Sequence, residues 1–322
     1  MTKFKNNICL NNLEVNNYLE NIIKTNSFAN GYIFWGAKGV GKKQTALKFI
    51  NGIFRNYTSS INIEEKILNN NHPDFLVIEP TSFTKDKTIK SKDSKNLNKI
   101  SNEIIKVEQI RNVRKFISQK AIDSEKKIVL IIDSHLLNEA ASNCLLKTLE
   151  EPSNGIFILL TSNINFLLNT IKSRCQLIKF KCFSTQEIES FVKNNLDSYL
   201  SEINKKINLQ DLVNASNGSP IEALNNIEIL KELPNEIFKK LEFPLKDNLE
   251  ILTISKTIIE TLEVYQQIYL INFIQYVWWR KTKNKNVIKK LEKLKFQIQN
   301  FIQPRLAWEV TLLRISLEDL RS

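Results

Sequence analysis

Gly31-Tyr-Ile-Phe-Trp-Gly36, running directly into Ala37-Lys-Gly-Val-Gly-Lys42, decides the fold. The opening residues form a continuous apolar run without alternation, as a strand covered on both faces requires. The glycines that follow have the spacing G-x4-G-K, and an apolar helical pattern from Lys42 to Phe54 starts at the lysine. A glycine turn between strand and helix can aim backbone N–H groups at phosphate oxygens, and the helix N-terminus adds positive potential. Gly36, Gly39, Gly41 and Lys42 are therefore candidate phosphate-binding residues, with Lys42 reaching the terminal phosphates.

The alternation continues outward from this loop. Leu13, Tyr18, Leu19, Ile22 and Ile23 recur at helical spacing ahead of it. Lys127-Ile-Val-Leu-Ile-Ile-Asp133 and Gly155-Ile-Phe-Ile-Leu-Leu-Thr161 are further unbroken apolar runs; His72-Pro-Asp-Phe-Leu-Val-Ile-Glu79 and Gln176 to Phe180 supply two more strands. Helices are predicted over Val107 to Ser118 and Asn138 to Leu149. Strand and helix in alternation imply an α/β fold, a parallel sheet with helices on both faces. After Phe183 the strand signals stop, and Asn217-Gly-Ser-Pro220, Pro234, Pro244 and Pro304 punctuate helices. The expected organisation is an α/β domain over 1–183, a small helical domain over 184–227 and an all-helical domain over 228–322.

An apolar fraction of 42% in 322 residues supports two or three folded units. Lys and Arg outnumber Asp and Glu by 46 to 34, a net charge of +12 that permits contact with phosphate-rich partners and equally fits a composition bias toward Asn, Ile and Lys. Four scattered cysteines, Cys9, Cys144, Cys175 and Cys182, form no CxxC pair, which suits a reducing compartment. With no apolar signal-type segment at the N-terminus and no long uninterrupted apolar stretch, the expectation is a cytoplasmic protein without a membrane span. Thr81 to Ser101 carries six lysines among polar residues and reads as a surface insertion, the alternative being an arm that touches DNA. Trp278, Trp279 and Arg280 read as packing residues of a helical core or interface in preference to a base-stacking platform.

What the phosphate loop lacks matters as much as what it has. A working loop places Ser or Thr after its lysine to hold Mg²⁺, and here the residue is Lys43, whose ammonium cannot ligate a cation. Thr45 is no substitute, being about 200° further round the helix. Asp133 ends an apolar strand and could help hold a metal, but Ser134 follows it, so the carboxylate that would polarise an attacking water is absent. His135 reads as a packing or surface residue, not a replacement base.

Several segments together resemble the clamp-loader branch of AAA+ proteins, and within it the bacterial delta prime family. Asn138-Glu-Ala-Ala-Ser-Asn-Cys-Leu-Leu-Lys-Thr-Leu-Glu-Glu-Pro152 is similar to that family's helix ending in Leu-Glu-Glu-Pro, and Ser173-Arg174-Cys175 to its SRC motif. His72-Pro-Asp74, Val107-Glu-Gln-Ile-Arg111, the sensor 1 region Thr161-Ser-Asn163 and Gln303-Pro-Arg-Leu-Ala-Trp-Glu309 fit the family's pattern as well. Two departures stand out: 51–71 holds no cysteine, so the family's structural zinc is not expected, and Gly218-Ser-Pro-Ile221 puts isoleucine where motor subunits carry the sensor 2 arginine. The resemblance implies a helical lid followed by a collar, and a DNA polymerase III subunit that does not itself hydrolyse ATP. It further implies that Arg174 acts in trans as an arginine finger toward a neighbouring subunit, its default role without the motif being a surface ion pair. Implied partners are motor (gamma/tau) and delta subunits in a hetero-oligomeric ring, and through it the sliding clamp and primer-template DNA. No cofactor is required, although the glycine frame and Lys42 allow passive binding of ATP or ADP. The rival readings are an active gamma-like ATPase with unusual metal and water ligands, and a stand-alone DNA-binding protein.

Overall fold

A computed structural model describes residues 12–57, 62–82, 103–151, 155–193, 209–234, 240–241, 243–245, 247–300 and 303–319. The lysine-rich segment lies outside them apart from Thr81 and Ser82. The described residues form two compact units divided between Cys182 and Phe183.

In the first unit, α1 (Leu13–Thr25) precedes β1 (Gly31–Trp35), then α2 (Lys42–Arg55), α3 (Ile63–Leu68) and β2 (Phe75–Ile78). A two-residue pair follows, β3 (Thr81–Ser82) antiparallel to β4 (Glu103–Ile104), joining the ends of the lysine-rich segment. Next come α4 (Val107–Ser118), β5 (Lys127–Ile131), α5 (Glu139–Glu150), β6 (Gly155–Thr161), α6 (Asn169–Lys172) and β7 (Gln176–Lys179). The five long strands form one parallel sheet in the order β2-β5-β6-β1-β7. The unbroken apolar runs of β5 and β6 are buried at every residue, which explains why neither alternates. Chain order reverses at β1: its outgoing connection leads to β2 at one edge, whereas β6 connects to β7 at the other. In open α/β sheets such a switch point is where ligands generally bind, here over the C-terminal ends of β1 and β6.

Polar residues hold the edges of this core in register. Asn138 caps α5, its Oδ1 accepting from the Ala141 N–H at 2.8 Å. Lys127, almost wholly buried, donates from Nζ to the Phe116 carbonyl at 2.9 Å, tying the start of β5 to the last turn of α4. His72-Pro-Asp74 is a structural clamp. The His72 ring stacks on Phe54 at 4.1 Å, and its Nδ1 accepts from the Asp74 N–H at 3.1 Å. Asp74, fully buried, accepts from the N–H groups of Ile122, Asp123 and Ser124 and from the Ser124 hydroxyl, at 2.7 to 3.1 Å. One carboxylate thus organises the turn that leads into β5.

The second unit is helical: α7 (185–193), α8 (Leu209–Ala215), α9 (Pro220–Glu232), α10 (Asn248–Thr261), α11 (Val264–Thr282), α12 (Lys285–Gln299) and α13 (Pro304–Asp319). Residue 227, where the two helical domains were expected to meet, lies within α9, and α9 packs on α11. Trp278 and Trp308 are core residues, and each indole N–H is satisfied, the first by the Leu241 carbonyl and the second by Gln267 Oε1, both at 3.0 Å. Arg280 pairs with Asp211, and Trp279 is partly exposed with Lys283 Nζ 5.5 Å from its ring. Among the described residues no helix is long and apolar enough to cross a membrane.

Asp74→Ala strips four hydrogen bonds from the turn before β5 and is expected to cost about 3 kcal/mol or more, whereas Ser124→Ala should cost about 1 kcal/mol. Urea denaturation of the two variants measures the difference.

Candidate functional site

The phosphate loop stands at the C-terminal end of β1, at the switch point. Gly39 and Gly41 have φ of 79° and 91°, left-handed conformations that favour glycine. Gly36 is required by proximity, because a Cβ there would lie 2.5 Å from the Phe180 carbonyl oxygen. Lys42 opens α2 and folds back, its Nζ donating to the Gly36 and Ala37 carbonyls at 2.6 Å each. Burial lowers its pKa from the ordinary 10.5 to about 8, against the opposing pull of the Asp133 carboxylate.

Of the neighbouring positions, Lys43, Thr45 and Ser134 are engaged or buried and Asp133 is not. Lys43 turns away to an exposed ion pair with Glu79, Nζ to Oε1 3.2 Å, at the end of β2. Thr45 is buried within α2. Asp133 follows β5 with φ 50°, and its carboxylate makes no hydrogen bond among the described residues. Ser134 is fully buried and donates from Oγ to the Leu160 carbonyl at 3.0 Å, so the position that would carry a water-activating carboxylate is turned into the sheet. His135 Nε2 lies 3.4 Å from Ser162 Oγ, its Nδ1 has no partner among the described residues, and burial lowers its pKa, leaving a neutral ring in neutral solution. Asn163 spends its Oδ1 on the Asn165 N–H at 3.1 Å, capping a short turn after β6.

Ser173-Arg174-Cys175 divides three tasks. Ser173 Oγ donates to the Thr170 carbonyl at 3.0 Å and closes the turn after α6. Cys175 is buried against Gly31, where an added Cβ would meet its Sγ at 2.5 Å and Leu149 Cδ2 at 3.5 Å. Desolvation pushes its thiol up to about 12, so it is a packing residue without nucleophilic character. Arg174 remains partly exposed: Nη1 donates to the Thr170 carbonyl at 3.0 Å, and Nη2 pairs with Glu150 Oε1 at 2.7 Å.

Placement separates Arg174 from its own phosphate loop. The loop follows β1, whereas Arg174 precedes β7, and the two strands are parallel neighbours. At about 3.3 Å per residue, the register puts the backbone of the two groups at opposite ends of the strand pair, roughly 20 Å apart. Arg174 thus stands at the other end of the strand pair from its chain's own loop.

With this geometry in view, the comparisons with known proteins are specific. Residues 12–184 match the family described as DNA polymerase III, delta subunit, and 194–315 match the cyanobacterial DNA polymerase III delta prime C-terminal domain. The chain belongs to the DNA polymerase III delta prime family. The delta prime subunit of Bacillus subtilis is 29% identical over 177 residues, covering 53% of this chain and 48% of its own length. That of Buchnera aphidicola subsp. Schizaphis graminum is 34% identical over 150 residues, covering 45% of this chain and 43% of its own. The chain thus spans about half the length of these relatives. A crystal structure of a DNA polymerase III gamma subunit-related protein from Thermotoga maritima superposes with a TM-score of 0.52 at 16% identity, covering 93% of this chain and 98% of that one, which places the fold.

The depressed pKa of Lys42 has a pH consequence. Between about 8 and 10.5 the unfolded chain holds the proton more firmly than the folded one, so stability rises with pH across that window. Lys42→Met is expected to lose this increment, seen as a smaller difference in urea midpoint between about pH 7 and about pH 10 than in wild type.

Proposed function

We propose that this chain is a non-hydrolysing clamp-loader subunit that lends Arg174 to ATP bound by a neighbouring motor subunit. The observation that carries the reading is the position of Arg174, at the end of the β1–β7 strand pair opposite its own phosphate loop and partly open to solvent. A planar, permanently charged guanidinium suits the oxygens of a transferring phosphoryl group. The connection that bears it also exposes Phe166 and Leu168, an apolar rim that a partner would cover. The loop's own losses support the same reading, since Lys43 is committed to Glu79 and Ser134 to the Leu160 carbonyl.

In this account motor (gamma/tau) and delta subunits complete a ring, the helical second unit contributes its collar, and the assembly places the sliding clamp at primer-template junctions. The glycine frame and Lys42 can hold a nucleotide's phosphates without turning it over, and no metal-dependent step runs through this loop.

Two measurements test the proposal. The purified chain is expected to release no phosphate from ATP above background, and rapid turnover would overturn the non-hydrolysing assignment. In the complex reconstituted with cognate motor subunits, Arg174→Ala is expected to assemble normally and to lower ATP turnover about tenfold or more, with about 10³ to 10⁵, the loss seen for arginine fingers elsewhere, as the upper range. Failure to assemble would make the residue structural instead.

A further inference from the structure

Helix α5 ends in Glu150, followed by Glu151, placing two carboxylates at the negative pole of a helix. The macrodipole disfavours acids there, so α5 itself gains nothing from either. Each nevertheless has an arginine from a different element: Glu150 holds Arg174 at 2.7 Å, and Glu151 pairs with Arg114 of α4. We infer that Glu150 is the positioning residue for Arg174, an inference that rests on the arginine-finger reading above.

The geometry favours positioning over simple surface pairing. The guanidinium is held by the Glu150 carboxylate on Nη2 and by the Thr170 carbonyl and, at 3.4 Å, Ser173 Oγ on Nη1, while Nε makes no hydrogen bond among the described residues. One edge is thus fixed and another remains for a phosphate oxygen. The acid's own place is secured next door, because Leu149 and Cys175 both pack on Gly31, locking the end of α5 to the turn that carries Arg174. Arginine loses considerable rotamer freedom when held, so a guanidinium already oriented before a partner docks spares the interface that cost. Both side chains are partly exposed, and an exposed ion pair adds little to folding, so the pair can be broken without unfolding the chain.

The test uses the reconstituted complex of full-length subunits, with steady-state ATP turnover measured for wild type, Glu150→Gln, Glu150→Asp, Arg174→Ala and the Arg174→Ala/Glu150→Gln double variant. Glu150→Gln is expected to lower kcat about tenfold with KM little changed, as misorientation of a catalytic group does. Glu150→Asp, which restores the charge, should recover part of that loss. The double variant should be no slower than Arg174→Ala alone. Unchanged or faster turnover in Glu150→Gln, where Arg174→Ala is slow, would overturn the positioning role, as would losses that multiply in the double variant. An Arg174→Ala complex as fast as wild type would instead sink the finger reading itself. The thermal midpoint of the isolated Glu150→Gln chain is expected to match wild type; a large drop with failed assembly would show a structural role and also overturn the inference.

Discussion

The close approach of β7 to β1 is the contact on which the rest of the first unit depends. Glycine opens β1 at Gly31 and follows it at Gly36 for the same reason. At Gly31 a Cβ would strike the Cys175 sulfur just before β7, and at Gly36 it would strike the Phe180 carbonyl just after it. With both side chains deleted, the strands pair in register from Tyr32 with Gln176 to Trp35 with Lys179. The phosphate loop and Arg174 are thereby hung on opposite ends of one strand pair. A sheet with β7 a few ångströms further out would keep the same element order and lose the fixed distance between the two.

The phosphate loop is built chiefly by its backbone. Its backbone features survive: two left-handed glycines, a strand before, a helix after, and a lysine at the first helical turn. These features also build the unit, since the Gly36 N–H bonds the Thr161 carbonyl and Lys42 braces the loop through two carbonyls. Lys43 and Ser134, the two residues that differ from the pattern of a working loop, both have structural partners. Lys43 pairs on the surface with Glu79, and Ser134 fills a buried site where its hydroxyl satisfies a strand carbonyl. A glutamate at position 134 would need to swing out of that site or desolvate its charge, and either costs several kcal/mol.

How far the chain could be read in advance follows from which interactions leave a local pattern. Continuous apolar runs announce β1, β5 and β6, because burial on both faces demands them. Helices α4 and α5 are legible from their spacing, as are Lys43 and Ser134, on which the non-hydrolysing proposal rests. Short elements escape: α3 has six residues and β3 and β4 two each, too few to establish a period. Long-range polar contacts escape for a different reason. Nothing local in His72-Pro-Asp74 says that its carboxylate organises a turn some 48 to 50 residues downstream. The segment 83–102 lies outside the described residues, and the lysines there remain a reading of composition.

The same reasoning accounts for the acidic end of α5. Leu149, Glu150 and Glu151 look, along the chain, like the end of an ordinary amphipathic helix with the wrong charges for its dipole. In space the leucine faces Gly31 and Cys175, and the two acids meet arginines from α4 and from the turn after α6. Charges that cost a helix something locally are retained where they hold groups the helix does not contain. Two segments that look separate in sequence, one ending α5 and one beginning β7, are therefore a single device. Its apolar half sets the spacing, and its polar half sets the direction of one guanidinium.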